Sequence, residues 1–105
     1  RAMYRVMIMY PNQEGATFDH EYYVKTHMKL VEEHFTPFGL IKTEVDKGLS
    51  GGGEETAPYI AIGCLYFETL EGYDRAGAAK GAIVRGDIPN FTNVAPIRQI
   101  SEVLD

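Results

Sequence analysis

Residues 17–35, TFDHEYYVKTHMKLVEEHF, carry all three histidines of the chain and read as one amphipathic helix. At about 100° per residue, His20, Tyr23, Val24, His27, Leu30, Val31 and His34 fall on one stripe, and Glu21, Lys25, Lys29, Glu32 and Glu33 gather elsewhere as a charged, solvated face. Glu21 with Lys25 and Lys29 with Glu33 form acid–base pairs four residues apart, each worth roughly 0.2–0.5 kcal/mol on an exposed helix. Thr17 or Asp19 supplies a side-chain oxygen to cap the first turn, and Pro37 and Gly39 end the helix.

The histidines recur every seven residues, which separates neighbours by about 10.5 Å along a helix axis. A single zinc needs helical ligands three or four residues apart, so no metal is expected here. His20 and His34 fall at the rims of the stripe, where local hydrogen bonds satisfy them. His27 lies in its middle, between Tyr23 on one side and Leu30 and Val31 on the other, so its ring points into the domain. Two readings are open for it: a satisfied core histidine, or a pocket acid/base that titrates near neutrality.

Outward from this helix the chain alternates. Residues 4–10, YRVMIMY, are β-branched, aromatic and long apolar residues that stop at Pro11, and they read as a strand with apolar groups on both faces. A half-solvated sheet would not carry apolar groups on both sides, so helices should cover one face and a second subunit the other. Leu40–Lys47, LIKTEVDK, reads as a polar edge strand, and residues 48–56, GLSGGGEET, as a flexible loop without the lysine and context of a phosphate cradle. Residues 58–68, PYIAIGCLYFE, form the most apolar and therefore central strand, with Tyr59, Ala61, Gly63, Leu65 and Phe67 on one face and Ile60, Ile62, Cys64 and Tyr66 on the other. Ala61 and Gly63 leave volume that a bulky neighbour must fill or a pocket must occupy. Thr69 caps a second helix over Leu70–Gly86, whose small residues suit a close approach to the sheet or the first helix. Residues 87–92 make a turn, and residues 93–104 read as the last strand, with Pro96 placing it at an edge or bulge.

The order β-α-β-β-α-β spells an α+β, ferredoxin-like fold: a four-stranded antiparallel sheet with two helices on one face. The 105 residues suit one domain, from Met3 to Asp105, with Arg1 and Ala2 reading as a tag remnant. A net charge of −5 with dispersed basic residues disfavours nucleic acid and anionic membranes. The apolar runs are too short to span a bilayer, and no signal-peptide pattern is present. The lone Cys64 offers no disulfide, which suits a reducing, cytoplasmic setting, and its apolar surroundings disfavour a thiolate nucleophile.

The run YPNQEGATFDHEYYVKTHMKLV, with Tyr-Pro after the first strand, Phe-Asp opening the helix, paired tyrosines and a His followed by Met-Lys-Leu, resembles the EthD-like family, named for ethyl tert-butyl ether degradation. The segment DIPNFTNVAPIRQISEV is similar to that family's last stretch, and together the two cover more than a third of the chain. The resemblance implies a dimeric α+β barrel, in which two sheets pack face to face with the helices outside and each subunit holds a small-molecule cavity between sheet and helices. Related barrels include cofactor-free monooxygenases, cyclases, dehydratases, isomerases, haem-handling enzymes and proteins without known chemistry. By position, the family-like residues are Phe18, Asp19, Tyr22, Tyr23 and His27, with Pro89, Asn90 and Phe91 in the second motif.

These readings converge on a homodimer that takes a hydrophobic or aromatic small molecule of a degradation or biosynthetic pathway and needs no cofactor. His27 would be the acid/base, Tyr23 or Tyr66 would hydrogen-bond a substrate oxygen, and Phe18, Tyr22, Ala61, Gly63, Asn90 and Phe91 would surround the ligand. Asp19 reads as a helix cap and Asn90 as a turn residue before the last strand. The alternative is a non-catalytic binding or accessory module supporting a partner oxygenase, and haem ligation by His27 is a third option.

Overall fold

The computed structural model describes residues 2–105; Arg1, expected from the sequence to belong to a tag remnant, lies outside the described residues. Strand β1 (Tyr4–Pro11) leads through a loop into helix α1 (residues 20–35), followed by β2 (Leu40–Lys47), β3 (Tyr59–Phe67), α2 (Leu70–Gly86) and β4 (Ile97–Glu102). The four strands pair antiparallel in the order β2-β3-β1-β4. This is the expected ferredoxin-like arrangement, with the two most apolar strands in the centre because only they can be buried on both flanks.

Register decides which side chains meet the helices. Val6 pairs with Leu65, Ile8 with Gly63 and Tyr10 with Ala61, and these alternate residues face α1 and α2. Met7 paired with Cys64 and Met9 with Ile62 occupy the opposite face. The core is built from Val6, Tyr10, Tyr23, Met28, Val31, Phe35, Leu65, Phe67 and Phe91. The imperfect alternation of LIKTEVDK is a bulge, since pairing with β3 steps from Leu40 to Lys42 and leaves Ile41 half-exposed.

Helix α1 departs from uniform α geometry. It begins as α-helix at His20–Tyr22, passes through a π-helical stretch at Tyr23–His27 and resumes as α-helix at Met28–Phe35. The Met28 N–H bonds the Tyr23 carbonyl, five residues back. This wider turn rotates the following residues less per step, so the buried set is Tyr23, His27, Met28, Val31 and Phe35. Val24, expected on the stripe, is 47% exposed, and Met28 and Phe35 replace it. Asp19 is the N-cap, accepting from Tyr22 N at 3.0 Å, while the Thr17 backbone N–H instead donates to Asn93 Oδ1 at 2.9 Å.

The last strand is shorter than its pattern suggested. Residues 91–96 wrap beneath the start of α1 instead of joining the sheet, because Thr92 bridges Phe18, the Val94 N–H bonds Thr92 Oγ1 and Pro96 has no N–H to give. Thr69 caps α2 by accepting from Gly72 N, as its position predicts. Gly72 lies against the Phe38 carbonyl, where a Cβ would overlap it, so this glycine marks a close approach of the two helical units.

Candidate functional site

A cavity of about 170 Å³ lies between the helices and the β1–β4 side of the sheet. The sheet contributes Val6, Ile8 and Leu65, α1 contributes Tyr23, His27, Met28 and Val31, and α2 contributes Tyr73, Gly77 and Val84. Gly77 explains part of the opening, since nothing lies within 4 Å of where its Cβ would be. The glycines of α2 therefore leave space as well as permitting contact.

His27 is the histidine of α1 that lines this space, and it is only 4% exposed. Its Nδ1 lies 2.8 Å from Asp87 Oδ2. Asp87 follows the last turn of α2 and is held there from two more sides: Tyr22 Oη donates to Oδ1 at 2.7 Å and Asn90 Nδ2 to the same oxygen at 2.9 Å. Burial opposes ionisation of Asp87, but the hydrogen bonds from Asn90, His27 and Tyr22 outweigh it and hold the carboxyl below its usual range. Burial likewise lowers the His27 pKa, and the hydrogen bond and charge of Asp87 offset that only in part. At neutral pH the pair is thus a carboxylate and a neutral imidazole. A carboxylate accepts only, so Nδ1 carries the proton and Nε2 keeps its lone pair. Nε2 has no hydrogen bond to the described residues, which leaves it for the cavity.

An aromatic cluster fixes this geometry. Phe91 packs with ring centroids 4.6 Å from His27 and 4.8 Å from Tyr23, and it also contacts Phe18 at 5.3 Å and Tyr10 at 5.8 Å. Tyr23 stacks on His27 at 5.4 Å with rings 17° from parallel. The Asp19 N–H donates to the Phe91 carbonyl at 2.8 Å. The two stretches that carried the family resemblance therefore meet in space, one packed on the other.

The remaining expected site residues divide. Tyr23 lines the cavity with its ring, but its hydroxyl lies against Gly63 and Met28, where a Gly63 Cβ would overlap it. Among the described residues it is the one buried side-chain polar atom without a hydrogen bond of good geometry; the Tyr10 hydroxyl lies close enough to couple to it as a weak hydrogen-bonding neighbour. The space left by Ala61 and Gly63 is filled by bulky neighbours and is no part of the cavity: Tyr23 covers Gly63, and Tyr10 pairs with Ala61. Tyr66 is on the far face of the sheet, donating to Glu44 Oε1 at 2.7 Å and accepting from Arg5 Nε at 3.1 Å. It cannot share a ligand with His27, because adjacent positions of a strand point to opposite faces. Phe18, Asn90 and Phe91 border a separate open recess with His20 and Asn93, and Tyr22 acts on His27 through Asp87.

His20 bonds the Ile60 carbonyl at 3.2 Å and His34 pairs with Glu33 at 3.3 Å. Cys64 is buried, and burial pushes its thiol up. Among the described residues no group of three or more His, Cys, Asp or Glu side chains could hold a metal ion, and no helix is long and apolar enough to cross a membrane. Sequence reasoning missed Asp87, whose signal was its place at the head of the DIPNF motif, and the lining residues Tyr73, Arg85 and Arg98.

No family model and no curated protein matches the chain. Among solved structures, an EthD-like protein from Ralstonia eutropha JMP134 superposes with a TM-score of 0.93 at 36% identity, over 100% of this chain and 95% of that one. An ethyl tert-butyl ether degradation (EthD) family protein from Bacillus halodurans C-125 gives 0.74 at 20% identity, over 97% and 99%. A dimeric ferredoxin-like protein of unknown function from Jannaschia sp. CCS1 shares the fold, with a TM-score of 0.60 at 16% identity over 98% and 100%. Identity above a third along the whole chain, together with the meeting of the two motifs at His27, makes this protein a member of the EthD-like family.

Proposed function

We propose that this protein binds a small hydrophobic or aromatic molecule between its sheet and helices and moves a proton on it, with His27 as general base. The observation that carries this reading is the Asp87–His27 pair opening on an apolar cavity. Asp87 holds the Nδ1–H tautomer, so Nε2 takes a proton from the bound molecule, and the imidazolium that forms is stabilised by the carboxylate behind it. The same nitrogen then returns the proton at another atom. Such a cycle suits isomerisation, cyclisation or dehydration of a carbonyl compound.

The assembly that fits is a homodimer. Met7, Met9 and Ile62 stand on the sheet face away from the helices, and a second copy would cover them by sheet-to-sheet packing. The ferredoxin-like relative from Jannaschia is described as dimeric. Light scattering of wild type and of Met9→Lys tests this; dimer for the first and monomer for the second is expected.

Hydrogen–deuterium exchange tests the chemistry. In D2O, the protein should speed deuterium incorporation alpha to the carbonyl of phenylacetone, and His27→Gln should abolish that gain while retaining the fold. No exchange above buffer with wild type, but saturable binding of the ketone, would favour a binding or accessory role.

A further inference from the structure

Two solvent-exposed arginines border the largely apolar lining, which also holds His27 and Asp74, and they come from different elements. Arg98 pairs with Ile8 in the sheet, so on edge strand β4 it stands on the helix-facing side. Arg85 belongs to the last turn of α2. Side chains on a helix lean toward its N-terminus, and Arg85 leans over Gly81, another lining residue, with Nη1 2.6 Å from where a Cβ there would sit. Glycine at 81 is what lets the guanidinium lie along the cavity wall.

Neither arginine is in an ion pair or hydrogen bond with a described residue. The lining holds a single carboxylate, Asp74, against these two guanidinium groups. Asp87 stands behind His27 and is occupied by three hydrogen bonds. A chain of net charge −5 thus keeps two solvent-exposed guanidinium groups against one carboxylate at the mouth of a largely apolar cavity.

We propose that the ligand is a small organic acid, a single ring or short chain bearing a carboxylate that Arg98 and Arg85 hold while its apolar body enters the cavity beside His27. This rests on the small-molecule reading of the cavity given above. The size follows from the volume of about 170 Å³, since an apolar cavity of about 150 Å³ admits one benzene molecule. The charge follows from the guanidinium fork, which matches a carboxylate with two parallel hydrogen bonds. Inward charges also occur on edge strands as a guard against aggregation, but that would account for Arg98 alone and not for the convergence of Arg85 from α2.

Isothermal titration with benzoate and with benzamide, its neutral counterpart of the same shape, separates the two levels of the proposal. Benzoate should bind wild type at least about tenfold more tightly, the scale of one hydrogen bond to a charged group, and added salt should erode that advantage. Arg98→Gln and Arg85→Gln should each reduce the ratio, and the double variant should bring it to unity without weakening benzamide. Equal affinity of wild type for both probes overturns the organic-acid assignment and leaves the cavity reading standing. Binding of neither overturns both. Because the ratio is measured on wild type first, a variant that fails to fold does not remove the test.

Discussion

His27 Nδ1 lies 2.8 Å from Asp87 Oδ2, across 60 residues of sequence, and this contact joins the middle of α1 to the end of α2. It fixes the imidazole tautomer and the face that the ring shows to the cavity. Removing the carboxylate should change both. In Asp87→Asn the His27 pKa should fall further, because the partner that raises it is gone, and exchange activity should drop with it. Histidine-selective NMR titration reads the pKa and the tautomer together. Asp87→Ala should also cost about 1–3 kcal/mol of stability by leaving the Tyr22 and His27 donors unpaired.

The same pair sets the acid limit of the fold. Both groups are depressed, His27 below 6.5 and Asp87 below 3.8. As pH falls below those values the unfolded chain binds more protons than the native one, so stability present above them is lost, first through His27 and then through Asp87. Urea midpoints measured from about pH 7.5 to about pH 4 should fall steadily, and His27→Gln should flatten the upper part of that slope. An unchanged slope would mean that His27 is not buried neutral.

Tyr23 makes a test of a different kind. Its hydroxyl is buried with no hydrogen bond of good geometry, only the Tyr10 hydroxyl beside it, and a poorly satisfied buried group costs up to about 1–3 kcal/mol. Tyr23→Phe should therefore raise the melting temperature and leave ligand affinity unchanged, since the hydroxyl lies against Gly63 and not the cavity. Burial raises the Tyr23 phenol, and it pushes Tyr10 up to about 12. Stability that is complete below 10.0 should then be lost as pH rises toward those folded values. Tyr23→Phe should shift the alkaline unfolding midpoint upward.

Two glycines should respond in opposite directions to the same methyl group. Gly63→Ala would overlap Tyr23 Oη and come within 2.8 Å of Met28 Cε, an overpacking expected to cost about 1–3 kcal/mol. Gly77→Ala meets nothing within 4 Å. It should stabilise α2 by about 0.5–1 kcal/mol while narrowing the cavity and weakening the binding of ring-sized ligands. Denaturation curves and ligand titration on both variants check the contrast.

Much of this architecture is written locally. Strand parity and helical periodicity gave the six elements, with Leu40–Lys47 and Leu70–Gly86 bounded as found, because alternation and capping are properties of neighbouring residues. Parity also put Tyr66 across the strand from Ala61 and Gly63, so its separation from His27 was already legible. His27 stood out because a histidine in the middle of an apolar stripe must point inward. What tertiary structure decided was the company it keeps. The π-helical turn at Tyr23–His27 changes the buried stripe through one backbone hydrogen bond that no spacing rule encodes. Asp87, Arg85 and Arg98 come to the cavity from α2 and β4 only once the sheet order is set. The volume beside Gly63 was filled and the volume beside Gly77 left open, since whether a small residue makes a pocket depends on which side chain from another element reaches it first.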